Sequence, residues 1–531
     1  MALAACVIDT NIVASFRMLN KSDLQSLRQC PRKLWLEQHR PELIPRDDPS
    51  AYRRANDGNI VGAKAREQLG ASFLWPPADF DKTRAAERAL QMLRASPASR
   101  AAEVPLVREG LYARADAMIP EADGYVLRET KASTFPLKGD KVSTAAPEDH
   151  HVDDVAIQAW VMEASGLKLV RAELNLLNNR WRYPGGNDYS GLFRQLHVSD
   201  EVQARKQDVP TWLAQAEAVV AGAMPDAVTG GQCKKPYVCP FTAFCEPLDP
   251  PRPPHPIELL PDSAGKGLAR KLRETKGYVS ILEPTPAELT GKAAALYRRI
   301  QRAHGTGEPV LEPGTAEAMA VFPYPRYYFD FEGIDLPVPH WTGVRPYEQI
   351  PFQWSCHIER APGVFEHAEF LDLTGNDPSL ACIAAMRDAI NPDDGGPIFV
   401  YYATYERGRL EGLAERHAEH AALMQKYIER LVDLHPMVKE HYYHPKMRGS
   451  FSIKSVLPQI APDLDYAQLD EVQEGTGAQV AYLYAVFDPA MTPERRADLA
   501  QKLRVYCHQD TWAMVEVAYF LARGQRPSKS A

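Results

Sequence analysis

The sequence predicts an α/β fold divided into more than one unit, and three observations carry that expectation. The chain has 531 residues, more than a single hydrophobic core usually accommodates. Short strand-like runs recur in both halves, some paired across turns and others alternating with helical stretches, as in mixed α/β architectures. Between the halves, Pro247 to Pro256 holds six prolines in ten residues, an extended semi-rigid segment. Residues 1–246 are therefore expected to form one block, 247–320 a linker and helical connector, and 321–531 a second block.

Bulk composition narrows the function classes. With 45% hydrophobic and 24% charged residues the chain reads as globular rather than disordered. No apolar run approaches the roughly 20 residues that span a bilayer, so a cytoplasmic protein without a membrane partner is expected. The opening run from Met1 to Ile8 lacks a basic start and leads into Asp9 and Asn11, which reads as a strand. A net charge of -8 argues against coating nucleic acid through bulk electrostatics, so any such contact must be local. Carboxylates clustered around a divalent metal would themselves add to that acidity.

In the first block, Cys233, Cys239 and Cys245 recur at intervals of six in a Pro- and aromatic-rich loop that can fold around one centre. Soft thiolates select zinc, copper(I) or iron–sulfur centres, and Cys30 in Leu27-Arg-Gln-Cys30-Pro31 can supply a fourth. The spacing lacks the short C-x2-C pairs usual in zinc fingers. Inert buried cysteines are the bland alternative. Between these cysteines, Leu111 to Ile119, a turn at Glu121 to Gly124, and Tyr125 to Lys131 read as a hairpin. Alternation along the strand puts Glu129 and Lys131 on one face, and the neighbouring strand brings Asp116 beside them. Two carboxylates suited to Mg²⁺ or Mn²⁺ would then meet an ammonium that can orient water and steady phosphorane charge. A downstream helix carries Gln158.

Over residues 17–245 these motifs resemble RecB-type PD-(D/E)XK nucleases with an iron–sulfur clasp, the CRISPR-associated and helicase–nuclease kind. The resemblance implies a restriction-endonuclease-like fold, Asp116, Glu129, Lys131 and Gln158 as the active site, and a 4Fe-4S cluster held by Cys30, Cys233, Cys239 and Cys245. It also implies a helicase or defence-system partner. Two departures stand out: Gly58-Asn-Ile-Val-Gly62 has no histidine where relatives often carry one, and Met162 replaces the tyrosine of the Q-x3-Y signature.

Apolar spacing predicts connector helices over Ala269 to Thr275 and Pro286 to His304. The second block then reads as strands near 327–332, 351–359 and 365–372, a helix near 378–390, a strand at Ile398 to Tyr402 and a helix from Thr404. A strand over Leu431 to Val438 and a long helix from Pro493 to Ala522 follow. Asp330 and Glu332 share a strand face, and Tyr506 and Asp510 share a helix face at i and i+4, with His508 directed elsewhere.

These residues look like a DEDDy exonuclease of the RNase H-like superfamily, which implies metal ligation by Asp330, Glu332, Glu406 and Asp510 and water positioning by Tyr506. Glu406 stands where that family carries aspartate, and Tyr402 where it often carries asparagine. A supporting role for Asp433 is set against plain structural charge. His441 to Lys454 is either a base- and phosphate-contacting stretch or a buried aromatic hairpin.

The whole chain resembles a bacterial fusion of a RecB-like nuclease with an RNase H-like exonuclease domain. The expected function is metal-dependent hydrolysis of DNA, at single strands or ends, in repair or defence against foreign DNA. The alternatives are a nucleic-acid-binding or scaffold protein with one or both sites degenerate, and an RNA 3′-to-5′ exonuclease; polarity is implied by the resemblance alone.

Overall fold

The computed structural model describes residues 18–524 except 71, 139–140, 143–146, 465–468, 470–471 and 473. The strand expected over Met1 to Ile8 lies outside them. The chain is mixed α/β and divides into two compact units, one running to Asp48 and over Arg54–Pro250, the other comprising Pro49–Arg53 and the chain from Pro251. No helix among the described residues is long and apolar enough to cross a membrane.

The first unit is built on a six-stranded sheet. Strand β1 (Leu19–Asn20) leads directly into helix α1 (Lys21–Gln29), whose start is fixed by a reciprocal cap: Asn20 accepts from the Asp23 N–H and Asp23 from the Asn20 N–H. Cys30 is extended and Pro31 opens helix α2 (Pro31–His39), so the cysteine sits at the joint between the two helices. Strands β2 (Ala101–Arg108), β3 (Leu111–Glu121) and β4 (Gly124–Thr134) pair antiparallel in sequence. In β3, Leu111, Ala113 and Ala115 are buried and alternate with Tyr112, Arg114 and Asp116, the period-two pattern of a half-buried strand. Helix α3 (Asp149–Ala164) crosses from β4 to a parallel strand β5 (Leu169–Leu177), and β6 (Phe193–His197) closes the edge. Nearly every residue of α3 from His151 to Met162 is buried, so its polar positions are forced into contact with the sheet.

In the second unit, helices α4 (Asp262–Lys276) and α5 (Ala294–Thr306) belong to the main core, where Leu272, Tyr297 and Ile300 pack with Tyr328, Phe399 and Tyr519. The helix expected from Pro286 begins at Ala294, because Glu288 accepts from Thr285 and ties this Pro-flanked stretch into a turn. The five-stranded sheet has strands β7 (Arg326–Asp335), β8 (Gln349–Ala361), β9 (Val364–Leu371), β10 (Ile398–Val400) and β11 (Leu431–Asp433) in the order β9-β8-β7-β10-β11. Central β7 runs antiparallel to β8 and parallel to β10. Tyr327, Phe329 and Phe331 pack into one core together with Cys382 and Leu410, of helices α6 (Ser379–Ala389) and α7 (Thr404–Arg416). Alternation sends Asp330 and Glu332 to the opposite face.

Two expected strands are shorter than the sequence suggested. The run Leu431 to Val438 is strand only to Asp433, whose carboxylate caps helix α8 (Leu434–His441) by accepting from the His435 N–H at 2.9 Å. The run Ile398 to Tyr402 is strand only to Val400, because Tyr402 turns into the left-handed region at φ 68°. Further helices are α9 (Ile453–Ile460), α10 (Gly475–Phe487) and α11 (Pro493–Arg523). The last starts with a Thr492 cap and Pro493 and ends at left-handed Gly524, the expected punctuation of a helix.

Candidate functional site

In the first unit, β3, β4, α1 and α3 each deliver a charged or amide side chain to one buried cluster. Asp116 Oδ2 accepts from the Thr130 N–H across the β3/β4 pair at 2.9 Å. Glu129 is 2% exposed and accepts from Lys131 Nζ at 2.8 Å, Gln158 Nε2 at 2.8 Å and Lys21 Nζ at 3.0 Å. Asp154 pairs with Lys131 and, at 3.0 Å, with Lys21, and accepts from Gln158 at 2.9 Å. All four residues predicted for this site therefore meet, with Lys21 and Asp154 added. Asp154 was legible, being one turn before Gln158 on the same helix face. Lys21 was not, because 108 residues separate it from Glu129 and only the sheet brings β1 beside β3.

The charges in this cluster are interdependent. Burial, with Asp116 and Asp154 nearby, raises the Glu129 pKa to about 7 against the pull of Lys131 and Lys21. Burial opposes charge on both lysines, yet Asp154 and Glu129 outweigh it and hold them above the ordinary lysine range. Asp154 is likewise held well below the usual carboxylate range despite burial, by Lys131 and Lys21. A cavity of about 490 Å³ opens beside Asp116 and is lined by Asn59, Arg66, Trp75, Arg114 and Arg128.

Cys30, Cys233, Cys239 and Cys245 line one small cavity of the same unit. They are free thiols rather than disulfides, surrounded by Leu36, Phe241, Trp35 and Phe244. Gln29, immediately before Cys30, donates to the carbonyls of Gln232 at 2.8 Å and Tyr237 at 2.7 Å, which ties the closing loop to α1. Cys239 and Cys245 are pushed upward first by burial and also by the neighbouring thiols.

In the second unit, Asp330, Glu332 and Asp510 offer carboxylate oxygens that all lie within 4.8 Å of one another. With Glu406, Tyr506, Lys454 and Tyr402 they line a cavity of about 420 Å³. Asp330 and Glu406 lie close enough at this cavity for each to shift the titration of the other. Burial, followed by Asp510, Glu332 and Glu406, raises Asp330 well above the carboxylate range. Burial and Asp510 take Glu332 to about 8 although Lys454 opposes them, and burial takes Glu406 to about 8. Glu406 is 1% exposed and its Oε2 has no hydrogen-bond partner among the described residues. The N-terminal residues Gly475 and Thr476 of α10 face the same cavity. Gly333 follows Glu332 at a break in the β7/β8 register, and a Cβ there would come within 2.9 Å of Gln349 Oε1 and 3.1 Å of the Tyr405 hydroxyl.

Asp433 has a structural role at this site. Its carboxylate accepts from the N–H groups of Tyr402 and Ala403, both at 3.0 Å, besides capping α8. This holds Tyr402 in its left-handed conformation, the residue 47% exposed at the cavity and its ring stacked on His435 at 4.0 Å. In the stretch His441 to Lys454, Tyr442 and Tyr443 are buried and pair with Val310–Leu311, so these two rings are core, whereas Lys454 reaches the acidic cavity. His508 turns from the Tyr506 and Asp510 face towards His357 and His367.

Residues 327–452 match a family model described as a domain of unknown function, DUF2779. The chain is 24% identical over 216 residues to the uncharacterized protein UU173 of Ureaplasma parvum serovar 3, a match covering 37% of this chain and 31% of that relative's length. It is also similar, at 16% identity and a TM-score of 0.25, to the crystal structure of SSO0001, over 43% of this chain and 86% of that one.

Proposed function

We propose that this protein is a metal-dependent nuclease that hydrolyses phosphodiester bonds of DNA at single strands or ends, in repair or in defence against foreign DNA. In this reading the first unit is a RecB-like PD-(D/E)XK nuclease closed by a 4Fe-4S clasp, and the second an RNase H-like DEDDy exonuclease domain. The observation that carries it is the convergence of Asp330, Glu332 and Asp510 within 4.8 Å, with Glu406 lining the same cavity.

The residues fit divalent metal. Three carboxyl groups with raised affinity for protons, one of them with an unpartnered buried oxygen, stand beside Asp510 in a site that a hard cation satisfies better than water does. Mg²⁺ or Mn²⁺ bound there would supply Lewis-acid stabilisation of phosphoryl charge. Asp330, Glu332, Glu406 and Asp510 would hold the cations, the first three giving up the protons that burial favours on them. The Tyr506 hydroxyl would orient the attacking water, and Lys454 and the N-terminus of α10 would draw the phosphate into the cavity. Tyr402, exposed at the rim, offers a ring on which a base can stack. In the first unit, Asp116 and Glu129 would ligate metal, Gln158 would fix the Glu129 carboxylate, and Lys131 would orient water.

The cysteine cage would hold the cluster, since Cys30, Cys233, Cys239 and Cys245 line one small cavity.

A second reading has its own observation. Glu129 and Asp154 are already held by two ammonium groups, which suits a first unit that binds nucleic acid while the second cleaves it. End-labelled single-stranded DNA and RNA incubated with Mn²⁺ separate these readings. Loss of cleavage in both Lys131→Ala and Asp330→Ala supports two active sites, and loss in Asp330→Ala alone supports the second reading. A preference for RNA would reassign the substrate to an RNA 3′-to-5′ exonuclease. If neither substitution alters cleavage, both assignments are wrong.

A further inference from the structure

We propose that His357, His367 and His508 form a binding site for a borderline divalent cation of the zinc type, separate from the carboxylate cavity. One ring nitrogen from each lies within 4.8 Å of the others. The three come from three elements of the second unit. His357 and His367 are directly opposite one another on the antiparallel strands β8 and β9, and His508 reaches them from α11, with ring centroids 4.5 and 4.6 Å from theirs.

The surroundings orient the rings. Thr511, fully buried one turn after Cys507, donates its hydroxyl proton to a carbonyl of its own helix, either His508 at 3.1 Å or Cys507 at 3.3 Å. Its oxygen is then free to accept from His357 Nδ1, 2.8 Å away, and from the Ser355 hydroxyl at 2.9 Å. Ser355 in turn accepts from His367 Nε2 at 2.9 Å. This order of donors leaves the lone pairs on Nε2 of His357 and Nδ1 of His367. Ligating histidines are characteristically oriented in this way, with the second ring nitrogen donating to a neighbouring polar group. Glu369, two residues after His367, adds a negative charge beside His508 while paired with Arg504 at 3.0 Å.

Imidazole ligands select zinc, copper, nickel or cobalt, whereas magnesium and manganese prefer oxygen. The two sites of this unit would therefore sort cations by chemistry. His357 is buried while His367 and His508 are exposed, so further ligands come from solvent. Such a cation would tie the Tyr506 to Asp510 stretch of α11 to strands β8 and β9.

The test is metal stoichiometry on the full chain, stripped with chelator and dialysed against Zn²⁺ or Co²⁺. His367→Ala and His508→Ala, both at exposed positions, should each bind one zinc fewer than the wild type. They should also lose a set of cobalt d–d bands that carries no thiolate charge transfer, while Asp330→Asn keeps both. Thr511→Val should weaken zinc binding at this site by roughly 10-fold. Equal zinc stoichiometry in wild type, His367→Ala and His508→Ala would overturn the proposal and leave a stack of three imidazoles. Loss of the bands in Asp330→Asn but not in the histidine variants would also overturn it, assigning the cation to the carboxylates.

Discussion

Asp330 and Glu406 face the same cavity, where each carboxyl group shifts the titration of the other. With Glu332 and Asp510 beside them, the folded chain without metal retains protons that the unfolded chain has released.

A pH dependence follows, with a definite sign. Glu332 and Glu406 titrate near 8 when folded, against an ordinary 4.5. The folded state therefore binds more protons between these values, and stability falls as pH rises through the window, by up to about 1.4 kcal/mol per pH unit for each proton retained. Thermal unfolding from pH 5 to 8.5 should show Mn²⁺ stabilising more strongly at the alkaline end. The metal-free decline should be shallower in Glu406→Gln; a wild-type melting temperature that rises through this window without metal would refute the retention of these protons.

Glu406 should be indispensable to cleavage in the second unit. Glu406→Gln is expected to lower turnover of end-labelled substrate about 100-fold or more, the scale of losing a group that stabilises charge at a reacting phosphate. Glu406→Asp should restore only part of it, since the shorter side chain withdraws from Asp330.

Lys21 lies 3.0 Å from Glu129 and lowers its pKa. Lys21→Met should therefore raise Glu129 above about 7. In an Asp330→Ala background, the acidic limb of any remaining cleavage should move to higher pH. A limb that stays in place would show that Glu129 does not govern the rate.

Asp433→Ala removes the cap of α8 and the acceptor for the Tyr402 and Ala403 N–H groups. A loss of about 1 to 2 kcal/mol is expected in denaturant unfolding. Weaker substrate binding should accompany it as Tyr402 leaves its left-handed conformation.

Cys239→Ser should abolish stoichiometric iron and acid-labile sulfide in anaerobically purified protein and destabilise the first unit. Colourless wild-type protein containing stoichiometric zinc would replace the cluster with zinc.

Much of the candidate chemistry was legible because local periodicity records it. Alternation along β7 put Asp330 and Glu332 on one face, and helical spacing put Tyr506 and Asp510 on another. What escaped were choices made by single contacts. The strand expected through Val438 stops at Asp433 because a carboxylate offers the backbone a cap. Sequence alone left Tyr442 and Tyr443 open between a nucleic-acid-contacting stretch and a buried hairpin, and their burial in the core decides for the second.

The sequence by itself determined the mixed α/β character, the carboxylate pairs within each strand or helix and the three closely spaced cysteines, because each is fixed by the spacing of neighbours along one element. The tertiary structure alone decided which distant groups meet: Lys21 with Glu129 and Asp154, Cys30 with the closing loop, Glu406 with Asp330, and three histidines from two strands and a helix. Strand pairing and crossover are set by burial of whole faces, so the polar residues carried on those faces converge through contacts that no local spacing encodes.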